Sequence, residues 1–168
     1  MQLTPILETI VNDNILHSKW LNTLSYMENA GAKKISASEH KEEVTLLILK
    51  HAAEEHRHAY YLKKQLAKLD ESLCKTYTNA ELLAPNHTKY YLNTLDVKVC
   101  RYLKEHFNLS GYDLKFAAYL FVTYAIEVRA DELYPIYQGV LTAQESRVTV
   151  KSKILEEEGH LEEMLNQL

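Results

Sequence analysis

Residues 54–58 of this 168-residue chain read Glu-Glu-His-Arg-His, which places Glu55 and His58 three positions apart. The same Glu-x-x-His step returns near the end of the chain as Glu157 and His160. Residues three apart lie on one face of an α-helix, so each pair can direct a carboxylate and an imidazole toward one point. Each step also follows a further acid. Two helices with this pattern predict one shared polar site inside a helical fold.

Two further glutamates complete a set of six potential metal ligands. Glu28 and Glu127 each precede one Glu-x-x-His step by a similar interval and lie in separate helical stretches. Four carboxylates and two imidazoles from four helices are the ligand set of a dinuclear metal site in a four-helix bundle. The predicted metal ligands are Glu28, Glu55, His58, Glu127, Glu157 and His160.

The charges of this set indicate which ions it would hold. Two divalent cations would neutralise four carboxylates, whereas without metal the four acids would repel one another in a buried core. A mixed oxygen and nitrogen set without thiolates suits iron or manganese better than zinc. The expected cofactor is two iron ions, with manganese or a mixed iron–manganese pair as the alternative. The competing interpretation is two ordinary solvated helix faces that carry lone histidines.

Five neighbouring residues are expected to support the ligands. Metal-bound histidines usually donate their second ring N–H to an outer acceptor. The two halves of the chain carry their ligands in the same order, and in such a pseudo-symmetric bundle the acid before one Glu-x-x-His step can reach the histidine of the other. We therefore expect Glu156 to bind His58 and Glu54 to bind His160. Alternatively, both acids are simply solvated. Three further residues lie one helical turn from a predicted ligand, where they either contact the cluster or serve in ordinary packing and ion pairing: His51, Tyr124 and Asp131.

Composition predicts a single all-α domain over residues 1–168. Glycine and proline are scarce, at 4 and 3 residues, so the chain has few turns and long elements. Its leucine, alanine, lysine and glutamate content favours helices for these elements. The formal net charge of −4 gives no basic footprint for nucleic acid. No secretion signal and no apolar stretch long enough to span a membrane is visible, so the expected location is the cytoplasm.

The first half of the chain predicts two long helices. Helix 1 is expected from about Pro5 to Asn29, with Gly31 marking its end. Helix 2 is expected to begin at a capping box at Ser36 and to reach about Leu69. Their apolar residues recur at helical spacing, which predicts that both contribute one face to the core.

The second half predicts a long connection followed by two more helices. The connection spans residues 70–111 and contains a helix over about 88–107, so it can cross from one end of a bundle to the other. Helix 3 is expected to begin near Gly111 and to kink or end at Pro135, because proline cannot donate to the carbonyl four residues back. A capping box at Thr142 is expected to open helix 4.

With this order of ligands the chain resembles the ferritin-like superfamily of di-iron carboxylate proteins. The acid before each Glu-x-x-His step is similar to the arrangement in bacterial multicomponent monooxygenases. The chain departs from ferritins, whose last helix lacks a second Glu-x-x-His step, and from rubrerythrins, which add a cysteine-rich domain. The resemblance covers nearly the whole chain. It implies a ferritin-like four-helix bundle with a long helix-containing crossover between helices 2 and 3.

The function implied by the resemblance is that of a di-iron oxidoreductase that activates oxygen or peroxide. Its partners would be oxygen or peroxide, a small-molecule substrate that the sequence leaves open, and an electron-donor protein. A homodimer is a candidate assembly, and neither nucleic acid nor a membrane is an expected partner. The alternative is a ferroxidase or iron-handling protein without an organic substrate. A third interpretation is a helical interaction module whose acids are surface residues.

Overall fold

The computed structural model describes residues 3–156, and all regular structure in this range is helical. The prediction of an all-α fold is therefore confirmed. Residues 151–156 are helical again after a non-helical stretch that follows the last long helix. The complete helices are α1 (Thr4–Val11), α2 (Asn14–Ala37), α3 (Leu46–Ala67), a short 3-10 turn (Asn79–Glu81), α4 (Pro85–Phe107) and α5 (Gly111–Ala143).

The predicted first helix is in fact two helices. Asp13 interrupts it with an extended backbone, and its carboxylate accepts hydrogen bonds from the backbone N–H groups of Ile15 and Leu16. This is a side-chain N-cap, which satisfies two of the donors that the start of a helix leaves open. The break is hard to predict from the sequence because apolar residues continue on both sides of Asp13.

The predicted end of that helix at Gly31 is wrong. Helix α2 continues to Ala37, and the residues after Gly31 pack Ala32 and Ile35 into the core. A glycine inside a helix costs about 1 kcal/mol relative to alanine, which such packing can offset. The capping box expected at Ser36 is also absent. The Ser36 hydroxyl instead donates to the carbonyl of Ala32 within α2.

Pro135 does not end α5, which runs through it to Ala143. Pro135 and Asp131, whose carbonyl it leaves without an N–H donor, are both exposed, so water can satisfy that carbonyl. The helix start expected at Thr142 is likewise wrong. The Thr142 hydroxyl donates to the carbonyl of Gln138 as part of the last turn of α5.

Helices α2 and α3 pack against each other in an antiparallel arrangement. The Ser25 hydroxyl donates to the carbonyl of Ala59 at 2.7 Å. Ten residues further along α2, Ile35 shares a core cluster with Ile48, which lies early in α3. This pairing fixes the register between the two helices. It brings the middle of α2 level with the middle of α3, where the predicted ligands of both helices lie.

The core consists of two apolar clusters, which lie on opposite sides of the predicted ligands along α2 and α3. The larger cluster joins α1, α2, α3, α5 and the stretch before residue 151 through Leu7, Leu21, Leu62, Tyr137 and Val150, among others. The smaller one contains Ile35, Ile48, Ala52, Tyr119 and Leu120. Burying each large side chain contributes roughly 1.5–3 kcal/mol, so the clusters hold the helices firmly on both sides of the polar site. Within residues 3–156, no helix is both long and apolar enough to cross a lipid bilayer.

Candidate metal centre

Three predicted ligands from α2 and α3 meet between the two apolar clusters. One ligand atom from each of Glu28, Glu55 and His58 lies within 4.8 Å of the other two. Glu28 Oε2 is 3.8 Å from His58 Nδ1. Glu55 and His58 are buried, and Glu28 is mostly buried. Their convergence follows from the antiparallel register of α2 and α3 together with the three-residue step on α3.

Gly31 lies one turn after Glu28 on α2 and faces the same group of side chains. A Cβ atom at this position would lie 3.7 Å from Glu55 Oε2, which is an ordinary van der Waals distance. The glycine thus leaves open space beside the Glu55 carboxylate. The residue that the sequence analysis assigned to a helix end is instead part of the wall of the site.

A fourth member of the cluster, Lys153, was missed by the sequence analysis. Its side chain is 1% exposed, and its Nζ lies 3.0 Å from Glu28 Oε1 and 3.2 Å from His58 Nδ1. The ammonium also lies 4.8 Å from the centre of the Tyr134 ring, and the Tyr134 hydroxyl donates to Glu28 Oε1 at 2.9 Å. One signal could have identified the lysine. It precedes the predicted ligand Glu157 by four residues, which is the spacing of one helix face.

The two carboxyl groups of the cluster differ in their affinity for a proton. Burial raises the pKa of Glu28, but the adjacent Lys153 ammonium, together with the neighbouring His58 and Glu55, outweighs this effect and brings the pKa down to about 2. Burial and the neighbouring Glu28 carboxylate raise the pKa of Glu55 well above its ordinary value. At neutral pH the metal-free cluster therefore holds an ionised Glu28 paired with Lys153, and the surroundings of Glu55 shift that group toward its protonated form.

Glu156 occupies the position at His58 for which the sequence analysis expected it. Its Oε2 lies 2.9 Å from His58 Nε2 and 2.7 Å from an Arg57 guanidinium nitrogen. Partial burial raises the pKa of Glu156, but these hydrogen bonds lower it further, so that the net pKa lies below its ordinary value. The ionised carboxylate can hold the Nε2 proton of His58, which leaves Nδ1 as an acceptor for the Lys153 ammonium 3.2 Å away.

The other predicted ligands are placed less completely. Glu127 is buried on α5, and its negative charge is among the influences that raise the pKa of Glu55. Glu157 and His160 lie outside the described residues. The expected contact between Glu54 and His160 lies outside them for the same reason, although Glu54 itself is half-buried on α3.

The three remaining predicted neighbours have different surroundings. His51 is buried, and its Nδ1 shares a hydrogen bond with the Tyr119 hydroxyl. Tyr124 is half-buried against the smaller apolar cluster. Asp131 is exposed on α5, so its placement does not support the expected role of orienting a ligand.

An apolar cavity of about 510 Å³ opens beside the cluster. It lies between α2, α4 and α5, and most of its lining is hydrocarbon, including Leu24, Ile35, Ala118, Val122 and Ile126. Three of the predicted ligands are among the residues that line it: Glu28, Glu55 and Glu127. The cavity has the size and the apolar character of ordinary small-molecule sites.

The donor set fits a transition-metal ion. Two carboxylates and one imidazole nitrogen converge in a buried space, and the second nitrogen of the imidazole is held by a carboxylate, as is usual for histidine ligands. Lys153 contacts two of these donors, so a bound cation would take over the charge that the lysine now supplies to Glu28. No family model matches the chain, and neither the curated proteins nor the solved structures compared with it include a significant match.

Proposed function

We propose that this chain is a dinuclear metal carboxylate protein that activates oxygen or peroxide to oxidise a small molecule. The ligands would be the four glutamates and two histidines of the predicted set, and the metals would be two iron ions or an iron–manganese pair. The observation that carries the proposal is the convergence of Glu28, Glu55 and His58 in a buried polar cluster. Bound metal would supply the redox chemistry.

The proposal includes a fold. Helices α2, α3, α5 and the helix that begins at residue 151 would form a ferritin-like four-helix bundle, and α4 would lie in the crossover between the second and third of them. Two observations support this arrangement. Glu127 on α5 acts electrostatically on Glu55 of α3, and Lys153 and Glu156 reach Glu28 and His58 from the last helix.

The residues around the cluster have definable roles in this proposal. Glu156 fixes the ring of His58 through Nε2, so that Nδ1 faces the metal position. The Tyr134 hydroxyl holds Glu28 Oε1. Lys153 neutralises Glu28 when no metal is present. The apolar clusters on both sides bury the donors, which strengthens the electrostatic interactions among them.

The cavity favours an oxidoreductase over the iron-handling alternative. A protein that only oxidises and stores iron needs a path for ions, and such a path is polar. The space beside this cluster is instead largely hydrocarbon and large enough for an organic molecule. We therefore infer that the cluster acts on a bound organic substrate.

Oxygen consumption tests the proposed function. The protein is loaded anaerobically with Fe(II), mixed with air-saturated buffer and followed with an oxygen electrode. We expect uptake faster than that of free Fe(II) in the same buffer, and iron that stays at about two ions per chain. The variant His58→Ala should lose the acceleration, whereas His56→Ala, on the exposed face of the same helix, should keep it. Uptake no faster than that of free Fe(II) would overturn the proposal, and continued loading of many irons per chain would support iron storage instead.

A further inference from the structure

One exposed face of α3 carries large apolar side chains. Leu46, Leu49 and Tyr60 are 79%, 46% and 64% exposed, and Ala53 between them is exposed as well. Successive members of this set are three, four and seven residues apart, so they form one line along the helix. An exposed line of large apolar residues is typical of a surface that binds another protein.

The rest of the described chain contacts other sides of α3. The side that carries the buried Ile48 packs against α2. A further side contacts Thr149, whose carbonyl accepts from the Tyr61 hydroxyl and whose N–H donates to Gln65. Neighbouring residues lie about 100° apart around a helix, so Tyr61 faces a different direction from Tyr60. Within residues 3–156, the apolar line is therefore open to a partner molecule.

The two ends of this face carry opposite charges. Glu42 and Glu43 lie just before α3 and are exposed. Lys64 lies in its last turn and is also exposed, and it follows Leu46 by about five turns, so it continues the same line. In the described part of the chain, none of these three charged residues forms an ion pair. A second α3 in the antiparallel direction would bring each acidic end to a basic end.

The apolar line is also symmetric about Ala53. Leu46 and Tyr60 each lie seven residues from it, which is about 10 Å along the helix. A twofold axis at Ala53 would place Leu46 of one copy opposite Tyr60 of the other. The two alanines would meet at the axis, where their small side chains let the helices approach closely. A twofold interface needs this kind of self-complementary surface, because both copies use the same residues.

We infer that this face of α3 binds the same face of a second copy of the chain, with the two helices antiparallel about a twofold axis at Ala53. The contact strip would be about 30 Å long and about 10 Å wide. It is small for a specific interface, so we expect a weak dimer that dissociates on dilution. The strip contains none of the predicted metal ligands. The inference therefore goes beyond the proposed function and can be tested on metal-free protein.

Sedimentation equilibrium of the metal-free protein over a range of concentrations tests the dimer. The mass of the wild type should rise from that of one chain to that of two. Leu46→Glu places a carboxylate against Tyr60 at both ends and should weaken association by about tenfold or more, since a loss of 1.4 kcal/mol already has that effect. The matched control Val97→Glu, at an exposed apolar position of α4, should leave association unchanged. A wild type that stays monomeric, or equal effects of the two variants, would overturn the inference.

Charge reversal tests the antiparallel direction. Lys64→Glu should weaken association by about fivefold, because it turns attraction into repulsion at both ends of the interface. Adding Glu42→Lys and Glu43→Lys to this variant should restore association, because opposite charges then meet again. Without such restoration, the antiparallel pairing would be wrong.

Cross-linking tests the position of the twofold axis. Ala53→Cys brings two thiols together only if the axis passes through this position, so mild oxidation should give a disulfide-linked dimer. Val97→Cys is the control and should stay monomeric under the same conditions. Equal cross-linking of the two variants, or no cross-linking at position 53, would contradict the proposed interface.

Thermal unfolding excludes residues 157–168 of the same chain as the occupant of this face. If they covered it, Leu46→Glu would lower the melting temperature even of dilute, monomeric protein. We expect the dilute variant to melt like the dilute wild type, because Leu46 faces solvent in the single chain. A clear lowering of the melting temperature would overturn the inference.

Discussion

The Lys153 ammonium lies 3.0 Å from Glu28 Oε1, inside the group of predicted metal ligands. The sequence alone suggested that these buried acids require metal cations, but the lysine is a cation that the chain itself provides. It neutralises Glu28 when metal is absent, and burial beside Glu28 favours the uncharged form of Glu55. The fold can therefore form before metal binds, and a metal ion must then compete with Lys153 for Glu28.

Replacing the lysine should make the protein more dependent on metal. In Lys153→Met the Glu28 carboxylate loses its buried partner, so the metal-free protein should lose up to roughly 3–5 kcal/mol in its free energy of unfolding. Metal binding would restore the missing charge, so Fe(II) or Mn(II) should raise the melting temperature more in this variant than in the wild type. Calorimetry with and without metal measures both effects. Lys151→Met, at an exposed position two residues earlier, is the control and should behave like the wild type. If metal raised the melting temperature equally in all three proteins, the metal ion would not be competing with Lys153 for Glu28.

The two carboxyl groups of the site should respond differently to removal of their charge. Glu55→Gln replaces an acid already favoured in its protonated form, so the stability of the metal-free protein should change by less than about 1 kcal/mol. Glu28→Gln leaves Lys153 buried without its anion and should cost roughly 3–5 kcal/mol. Urea unfolding of the two metal-free variants at neutral pH makes the comparison. Equal losses of unfolding free energy in the two variants would mean that the ionisation states of Glu28 and Glu55 are not those described. Both variants should bind metal more weakly than the wild type, because each lacks one ligand carboxylate.

A buried histidine away from the site should make the protein sensitive to mild acid. His17 is 1% exposed and bonded to the Tyr137 hydroxyl at 2.6 Å, and burial lowers its pKa to about 4 from 6.5. The unfolded chain therefore binds a proton more readily than the folded one, and the contribution of His17 is present above pH 6.5 and is lost as the pH falls toward 4.

The expected loss between pH 7 and pH 4.5 from this group is roughly 2–3 kcal/mol. The variant His17→Gln keeps a polar partner for Tyr137 but cannot titrate. Urea unfolding at both pH values should therefore show a smaller acid-induced loss for the variant than for the wild type. Identical losses would exclude His17 as a cause of the acid sensitivity.

Local spacing predicted more of the structure than element boundaries did. The step from Glu55 to His58 depends only on helix geometry, so both residues were expected on one face of α3, and the structure places both beside Glu28. The helix ends predicted at Gly31 and Pro135 are wrong. The local cost of a glycine or proline inside a helix, about 1–3 kcal/mol, is smaller than the stabilisation that these helices gain from packing into the core.

The composition of the site was harder to predict, because it depends on which side chains become buried together. Lys153 looks like an ordinary solvated helix lysine in the sequence, and only the packing of the last helix against α2 and α3 buries it at Glu28. The contact between Glu156 and His58 joins residues far apart in the chain. It was expected from the general requirement of a metal-bound histidine for an outer acceptor, combined with the repeated ligand order of the two halves of the chain.

The most direct measurement of the central claim is the metal content of the purified protein after anaerobic reconstitution with Fe(II) or Mn(II) and removal of unbound ions. Elemental analysis should give about two metal ions per chain for the wild type and for the control His56→Ala, and clearly less for His58→Ala. One metal ion per chain or none in the wild type, or equal metal content in the two variants, would contradict a dinuclear centre built on Glu28, Glu55 and His58.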